Sequence, residues 1–338
     1  MHEWLGFLLV VLGGCGQGVY FAPMKYVAPW KWENIWALYA FFALIVIPVG
    51  LATATVPHLG QALAVAPNGA MLRVFLFGAG WGVGSVLSGL GVARVGMAMG
   101  VAVLISVATA LGTFIPLVAG GPAQVFQAKG VMVILSVVTL LAGVVLIALA
   151  GKKRAASQIA ETESRKVCSF RSGLTICIFS GIFSSMFNLA FAFSGPVSKA
   201  ATQTGADKAS ALNMVWMVTL IGGFIPTGLY TGYLLTRNRT WNNYGLPRTS
   251  LYWVYGILMA VTWTGGVILY GRGASAMGSL GAAIGFPLAM AALIIGSSVV
   301  GFVTGEWKSS SSQAKRLMAG GLGLLMMAAA LIGIANRL

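Results

Sequence analysis

Five groups of polar and aromatic side chains stand inside stretches that are otherwise apolar. Gln17 and Tyr20 are three residues apart. Trp81, Ser85 and Ser88 fall at i, i+4 and i+7, and Trp263, Val267 and Tyr270 repeat that spacing. Ser184 and Asn188 are four apart, and Asn213 and Trp216 are three apart. On a helix each group shares one face. The groups offer amides, hydroxyls and indoles and no charge. Indole faces stack on the C–H faces of sugars, and amides answer hydroxyls with paired donors and acceptors. This chemistry suits a neutral polyol better than an ion. It makes Gln17, Tyr20, Trp81, Ser85, Asn188, Asn213, Trp216, Trp263 and Tyr270 the candidate substrate-binding residues. Simpler roles stay open for each. A hydroxyl can bond its own helix, an amide can link two helices, and an indole can pack between them.

The chemistry that is missing narrows the reading further. The acids are Glu3, Glu33, Glu161, Glu163, Asp207 and Glu306, the histidines His2 and His58, and the cysteines Cys15, Cys168 and Cys177. No apolar stretch holds paired carboxylates, a His-assisted nucleophile or a metal-ligand cluster. An enzyme or a metal transporter would need one of these. No metal or other cofactor is expected. Three cysteines without a C-x-x-C spacing argue against a disulfide framework. Asp207 precedes an apolar run and reads as a helix cap. Glu306, in TGEWK, reads as a local ion pair with Lys308. Glu33 is the titratable group nearest to a span, which makes it the candidate for coupling transport to protons. Capping is its alternative role. The glycine run GAGWGVG (78–84) resembles a phosphate-binding loop, but that loop needs a strand before it and a helix after it. Here it lies inside an apolar helix.

What must position these residues is a membrane bundle. Of 338 residues, 58% are hydrophobic and 8% charged, against about 25% charged in soluble proteins. Ten apolar runs fall at roughly 4–24, 34–56, 70–93, 97–119, 129–150, 171–195, 209–235, 251–272, 277–304 and 315–335. Their lengths fit spanning helices, and the alternation of a β-barrel is absent. The predicted fold is therefore an all-α integral membrane protein of ten transmembrane helices. LGGC (12–15) resembles a lipoprotein cleavage box, but no Lys or Arg precedes the apolar run as a signal peptide requires. That run reads as a retained helix. Trp4, Trp30, Trp32 and Trp241, near helix ends, read as interfacial anchors.

The stretch WGVGSVLSGLGVARVG (81–96) recurs as WTGGVILYGRGASAMG (263–278). At a shift of 182 positions Trp81/Trp263, Gly84/Gly266, Leu87/Leu269, Gly89/Gly271, Gly91/Gly273 and Gly96/Gly278 coincide. Pro23 and Lys25 after helix 1 are echoed by Pro196 and Lys199 after helix 6. Glu33 and Trp36 are echoed by Asn213 and Trp216. The polar stretch KKRAASQIAETESRK (152–166) separates five helices from five. Residues 1–150 thus form one five-helix repeat and 171–338 a second, joined by a basic cytoplasmic linker at 151–170. Five spans per repeat force the second to enter from the other side, giving the inverted architecture of many secondary transporters. Gly78 and Gly82, Gly80 and Gly84, and Gly96 and Gly100 are small-xxx-small pairs suited to close helix approach. The net charge of +15 lies in the gaps between runs, so it is a topology signal and no nucleic acid is expected. Loops after odd-numbered helices hold 15 Lys and Arg, and the even loops and termini hold six. The positive-inside rule then puts the odd loops in the cytoplasm and both termini in the periplasm.

The segments GGCGQGVYFAPMKYVAPWKWENIW (13–36), FLFGAGWGVGSVLSGLGVARVGMAMG (75–100) and GEWK (305–308) resemble the L-rhamnose–proton symporter family of the drug/metabolite transporter superfamily. The resemblance covers most of the chain. It implies uptake of a monosaccharide, L-rhamnose or a related sugar, across the bacterial inner membrane by alternating access with a proton. It also implies a central cavity between the inverted halves. The residues alone leave the coupling ion open, since another cation or none remains an alternative. An exporter of drugs or metabolites from the same superfamily is the competing reading, but it calls for a mid-membrane carboxylate that this chain lacks. The expected partners are a small sugar, a cation and the lipid bilayer.

Overall fold

The computed structural model describes residues 3–158 and 170–337. Among them ten helices are long and apolar enough to cross a membrane: α1 (Trp4–Tyr26), α2 (Trp32–Thr55), α3 (Asn68–Val95), α4 (Met97–Ala119), α5 (Ala128–Arg154), α6 (Arg171–Gln203), α7 (Lys208–Arg237), α8 (Ser250–Ala276), α9 (Gly281–Val303) and α10 (Ser312–Arg337). No strand occurs among the described residues. Helix is the required solution, because a backbone in lipid must satisfy its own hydrogen bonds. Helical structure continues from α5 through Gln158, into the stretch expected to be linker. Residues 159–169, with Glu161, Glu163, Arg165, Lys166 and Cys168, lie outside the described residues, as does His2.

Helix ends follow their local chemistry. Asp207 caps α7 as expected, accepting from the Ala209 N–H at 2.8 Å and the Ser210 N–H at 3.1 Å. Those bonds, with one from the Ser210 hydroxyl, hold its carboxyl below the usual range. Both α1 and α6 break near their ends. A short helical turn then begins at Ala22–Tyr26 and another at Gly195–Gln203, each with a proline in its first positions. Pro23 and Pro196 therefore do the same job in the two halves, since proline is preset for a helix start.

The repeated glycine skeleton has two causes. Gly96 and Gly278 have φ of +87° and +84°. They make the tight turns α3–α4 and α8–α9, where a side chain would strain the backbone. The expected helix-contact role of Gly96 is thus corrected, because nothing approaches within 4 Å of where its Cβ would stand. The other glycines do let helices close. A Cβ at Gly78 would stand 1.9 Å from the Thr219 carbonyl oxygen of α7, and one at Gly80 would stand 2.1 Å from the Met186 sulfur of α6. Gly84 meets Ser184, and its twin Gly266 meets Gly13. Gly91 meets Cys177, and its twin Gly273 meets Gly6. In both cases the partner shifts by the same 171 positions.

The main helix pairings have the same regularity. α1 packs on α8 and α9, and α6 on α3 and α4. α3 packs on α7, and α8 on α2. α2 with α7, α4 with α9 and α5 with α10 form facing pairs. Each main pairing becomes another, or itself, when helix numbers shift by five. Two surface expectations change. Trp30 is 5% exposed, packed among Tyr244, Tyr252 and Trp253 while its indole donates to the Asn243 carbonyl; it is a core residue and not an anchor. Trp4, Trp32 and Trp241 are exposed, as an anchor must be.

Candidate functional site

The two tryptophans of the repeated stretch meet at the centre of the bundle. The rings of Trp81 and Trp263 stack with centroids 5.4 Å apart and planes 15° apart. Beside them is a cavity of about 320 Å³, bordered on the α1, α2 and α3 side by Gln17, Tyr20, Trp36, Tyr39, Ser85 and Ser88. Small-molecule sites run from about 300 to 1,000 Å³, so a single sugar ring is the right scale of occupant. Gln17 is 6% exposed. Its backbone lies where Gly13 and Gly266 bring α1 and α8 together. Ser88 donates to the Ser85 carbonyl of its own helix at 2.7 Å. The apolar wall comes from α4 and α9, through Leu104, Ile105, Ala108, Phe286, Met290 and Leu293. A larger hollow of about 730 Å³ lies on the outer face of α7, between Ile225, Leu229, Tyr233 and Trp241. All four are exposed, so this hollow is a shallow apolar feature of the outer surface.

Of the nine expected substrate residues, five border the cavity: Gln17, Tyr20, Trp81, Ser85 and Trp263. Asn188, Trp216 and Tyr270 form a second cluster on the other side of the tryptophan pair. Trp216 lies between Phe187 (5.2 Å, 20°) and Phe191 (5.6 Å, 5°). The Tyr270 hydroxyl donates to the Asn188 side-chain oxygen Oδ1, and the Asn188 side-chain amide donates to the backbone carbonyls of Gly112 (2.6 Å) and Ala282 (3.0 Å). One amide thus ties α6 to α4, α8 and the start of α9, and the aromatic rings fill the space between. Asn213 is elsewhere again, donating to the Thr55 hydroxyl at 2.8 Å.

Glu33 is buried at 6% exposure. It accepts from the Asn238 amide (2.9 Å) and the Thr240 hydroxyl (3.1 Å) at the far end of α7. Asn34 beside it donates to the Thr240 carbonyl, and Tyr244 donates to the Asn34 carbonyl. Burial, with a contribution from the Glu33 charge, pushes the Tyr244 hydroxyl up to about 12. The start of α2 is therefore braced to the end of α7 through Glu33. The start of α7 is braced to the end of α2 through Asn213, the residue that echoes Glu33 in the sequence.

Glu306 departs from its expected local pairing with Lys308. Its carboxylate binds Lys25 through one oxygen and Arg154 through the other, the latter at 2.8 Å. Arg154 also lies over the Trp307 ring, 5.0 Å from its centroid. Burial pushes Glu306 up, but the hydrogen bonds and charges of Lys25 and Arg154 outweigh it and hold the carboxyl below its usual range. The sequence reading also missed Trp36, Tyr39 and Thr227 as cavity residues. Only Trp36 carried a signal, as the echo of Trp216.

The chain matches the family described as L-rhamnose-proton symport protein over residues 3–337. It belongs to that family. It is 26% identical over 339 residues to an L-rhamnose-proton symporter of Mannheimia succiniciproducens, covering 98% of this chain and 97% of the relative. A second relative of that name, from Pectobacterium atrosepticum, is 27% identical over 342 residues with the same coverage, and one from Yersinia pestis is 25% identical. No solved structure matches it. Membership agrees with the ten apolar helices and makes this a multi-pass transport protein.

Proposed function

We propose that this chain takes up L-rhamnose with a proton across a bacterial inner membrane, and that the sugar binds in the cavity beside the Trp81–Trp263 pair. The observation that carries the reading is a cavity of sugar size that pairs stacking rings with amide and hydroxyl groups. A drug exporter has no comparable support, since among the described residues no carboxylate borders the cavity.

The regular helix pairing supports two inverted five-helix repeats, with the odd-numbered loops in the cytoplasm and both termini in the periplasm. Gln17, Tyr20, Trp36, Ser85 and Ser88 lie in the halves of their helices nearest the odd loops. The cavity then belongs to an inward-facing state, and the cluster of Asn188, Phe191, Trp216 and Tyr270 seals the periplasmic side. In this reading Asn188, Trp216 and Tyr270 act as the seal, and Asn213 acts as a brace of α7 on α2.

Glu33 supplies the coupling. As a carboxylate it accepts from Asn238 and Thr240; with a proton it loses acceptor capacity and becomes a donor. Protonation therefore changes the cytoplasmic brace between α2 and α7, while Asn213 keeps the other brace constant. A bound proton shifts an alternating-access equilibrium only if the two states hold it differently, and a brace that opens with the cavity meets that condition. Reconstituted protein should accumulate L-rhamnose under an imposed pH gradient. Glu33→Gln should lose that accumulation while keeping sugar exchange. Accumulation by the Gln variant would remove Glu33 from the mechanism, and absence of any L-rhamnose exchange by the wild type would refute the transport reading.

A further inference from the structure

Four threonines lie along α7, and three follow one rule. Thr219, Thr231 and Thr236 each donate to the carbonyl four residues earlier, at 2.8–2.9 Å. Thr227 departs from it. It is 4% exposed, its hydroxyl has no hydrogen-bond partner, and it borders the cavity. The carbonyl it would use belongs to Gly223, which is pressed against α3; a Cβ at Gly82 would stand 2.4 Å from that oxygen. An unpaired buried hydroxyl is unfavourable to folding. Thr109 and Thr113 of α4 are also buried without a hydroxyl partner, but neither borders the cavity; Thr227 is placed where a bound molecule can complete the bond.

We propose that the Thr227 hydroxyl is a specificity-determining contact to a hydroxyl of the transported sugar, an assignment that rests on the transport reading above. The cavity is two-sided in its chemistry. Leu104, Ile105, Ala108, Phe286, Met290 and Leu293 line it from α4 and α9, while Thr227 enters from α7, on a different helix pair. L-rhamnose is two-sided in the same way, with a methyl group at C6 and hydroxyls around the ring. The methyl group takes the α4–α9 wall, and a ring hydroxyl meets Thr227. A site built to bond a substrate hydroxyl rejects analogues that lack it far more strongly than an apolar pocket rejects an added group.

The test is L-rhamnose binding by calorimetry to the purified full chain, with thermal melting measured on the same samples. Thr227→Val keeps the shape and removes the hydroxyl. It should weaken binding by about tenfold or more, and Thr227→Ser should restore affinity to near the wild-type value. The melting temperature of the sugar-free Val variant should be unchanged or raised, because no bond is lost. A panel of monodeoxy L-rhamnose analogues adds a second readout. One analogue should bind the wild type weakly yet bind the Val variant as well as L-rhamnose does. Wild-type affinity in Thr227→Val overturns the proposal and leaves the transport reading intact. Loss of binding together with a lowered melting temperature also overturns it, because the hydroxyl would then be structural. A wild type that binds no L-rhamnose overturns the transport reading and this contact with it.

Discussion

The two sides of the Trp81–Trp263 pair are built from matching positions and end in opposite states. On one side stand Gln17, Tyr20, Trp36 and Ser88; on the other their sequence echoes Asn188, Phe191, Trp216 and Tyr270. The first set borders a cavity. The second set is packed ring on ring and held by the Tyr270–Asn188 hydrogen bond. One side chain explains much of the difference. Tyr270 reaches across to the amide of α6, whereas Ser88 ends on its own helix. The twin glycines record the same contrast. A Cβ at Gly271 would meet the Trp216 indole nitrogen at 2.6 Å, and at Gly89 nothing lies within 4 Å. Matching positions on the two sides thus differ in packing through a few side chains.

The comparison is broken most severely by making the two sides alike. Ser88→Tyr places the counterpart of Tyr270 on the cavity side, which Gln17 also borders. It should reduce L-rhamnose uptake to background while protein level and melting temperature hold. Normal uptake by this variant would mean that residue 88 has no part in closing that side. The stacked pair itself comes next. Trp263 is buried against Tyr39, Phe187 and Trp81, whereas Trp81 is only half-buried. Trp263→Ala should cost about 3–5 kcal/mol of stability, and Trp81→Ala distinctly less while still impairing sugar binding. Equal losses in thermal or denaturant unfolding would contradict the asymmetry.

These residues were not equally legible in the sequence. The glycine skeleton and its tryptophans stood out in the sequence, because a repeat at fixed spacing is visible without knowledge of the fold. Gln17 and Asn188 looked identical, each an amide among apolar residues. Only the packing separates an amide that borders a cavity from one whose donors are spent on two carbonyls. Asn213 was ambiguous for the same reason. Glu306 was misread because Lys25, 281 positions away, is invisible to local spacing, whereas Lys308 is two residues off. Thr227 carried no signal, since a threonine in a membrane helix ordinarily bonds its own backbone.

Smaller effects sharpen the comparison. Tyr270→Phe removes one hydrogen bond from the sealed side, worth about 1 kcal/mol, and keeps the rings. It should raise the population open on that side several-fold, seen as faster alkylation of a cysteine introduced by Phe191→Cys. Unchanged reactivity would show that the rings alone maintain the seal. Glu306 lies outside the seal and should matter least. Its pKa is lowered in the folded chain, so its ion pairs contribute stability above the ordinary carboxylate range and lose it as pH falls through the lowered value. The group is partly exposed and screened, so Glu306→Gln should cost less than about 1 kcal/mol at neutral pH. That difference should shrink in high salt and leave L-rhamnose affinity unchanged.

The central claim is that L-rhamnose occupies a cavity reached from one face of the membrane. In a variant lacking Cys15, Cys168 and Cys177, a single cysteine introduced by Ser88→Cys reports on it directly. The rate of its alkylation by a membrane-impermeant maleimide would be measured in right-side-out and inside-out vesicles, with and without L-rhamnose. Reaction should be fast only where the α1–α2 loop faces the reagent, and saturating L-rhamnose should slow it strongly while D-sorbitol at equal concentration does not. Labelling that ignores L-rhamnose, or that proceeds equally from both faces, would contradict the account.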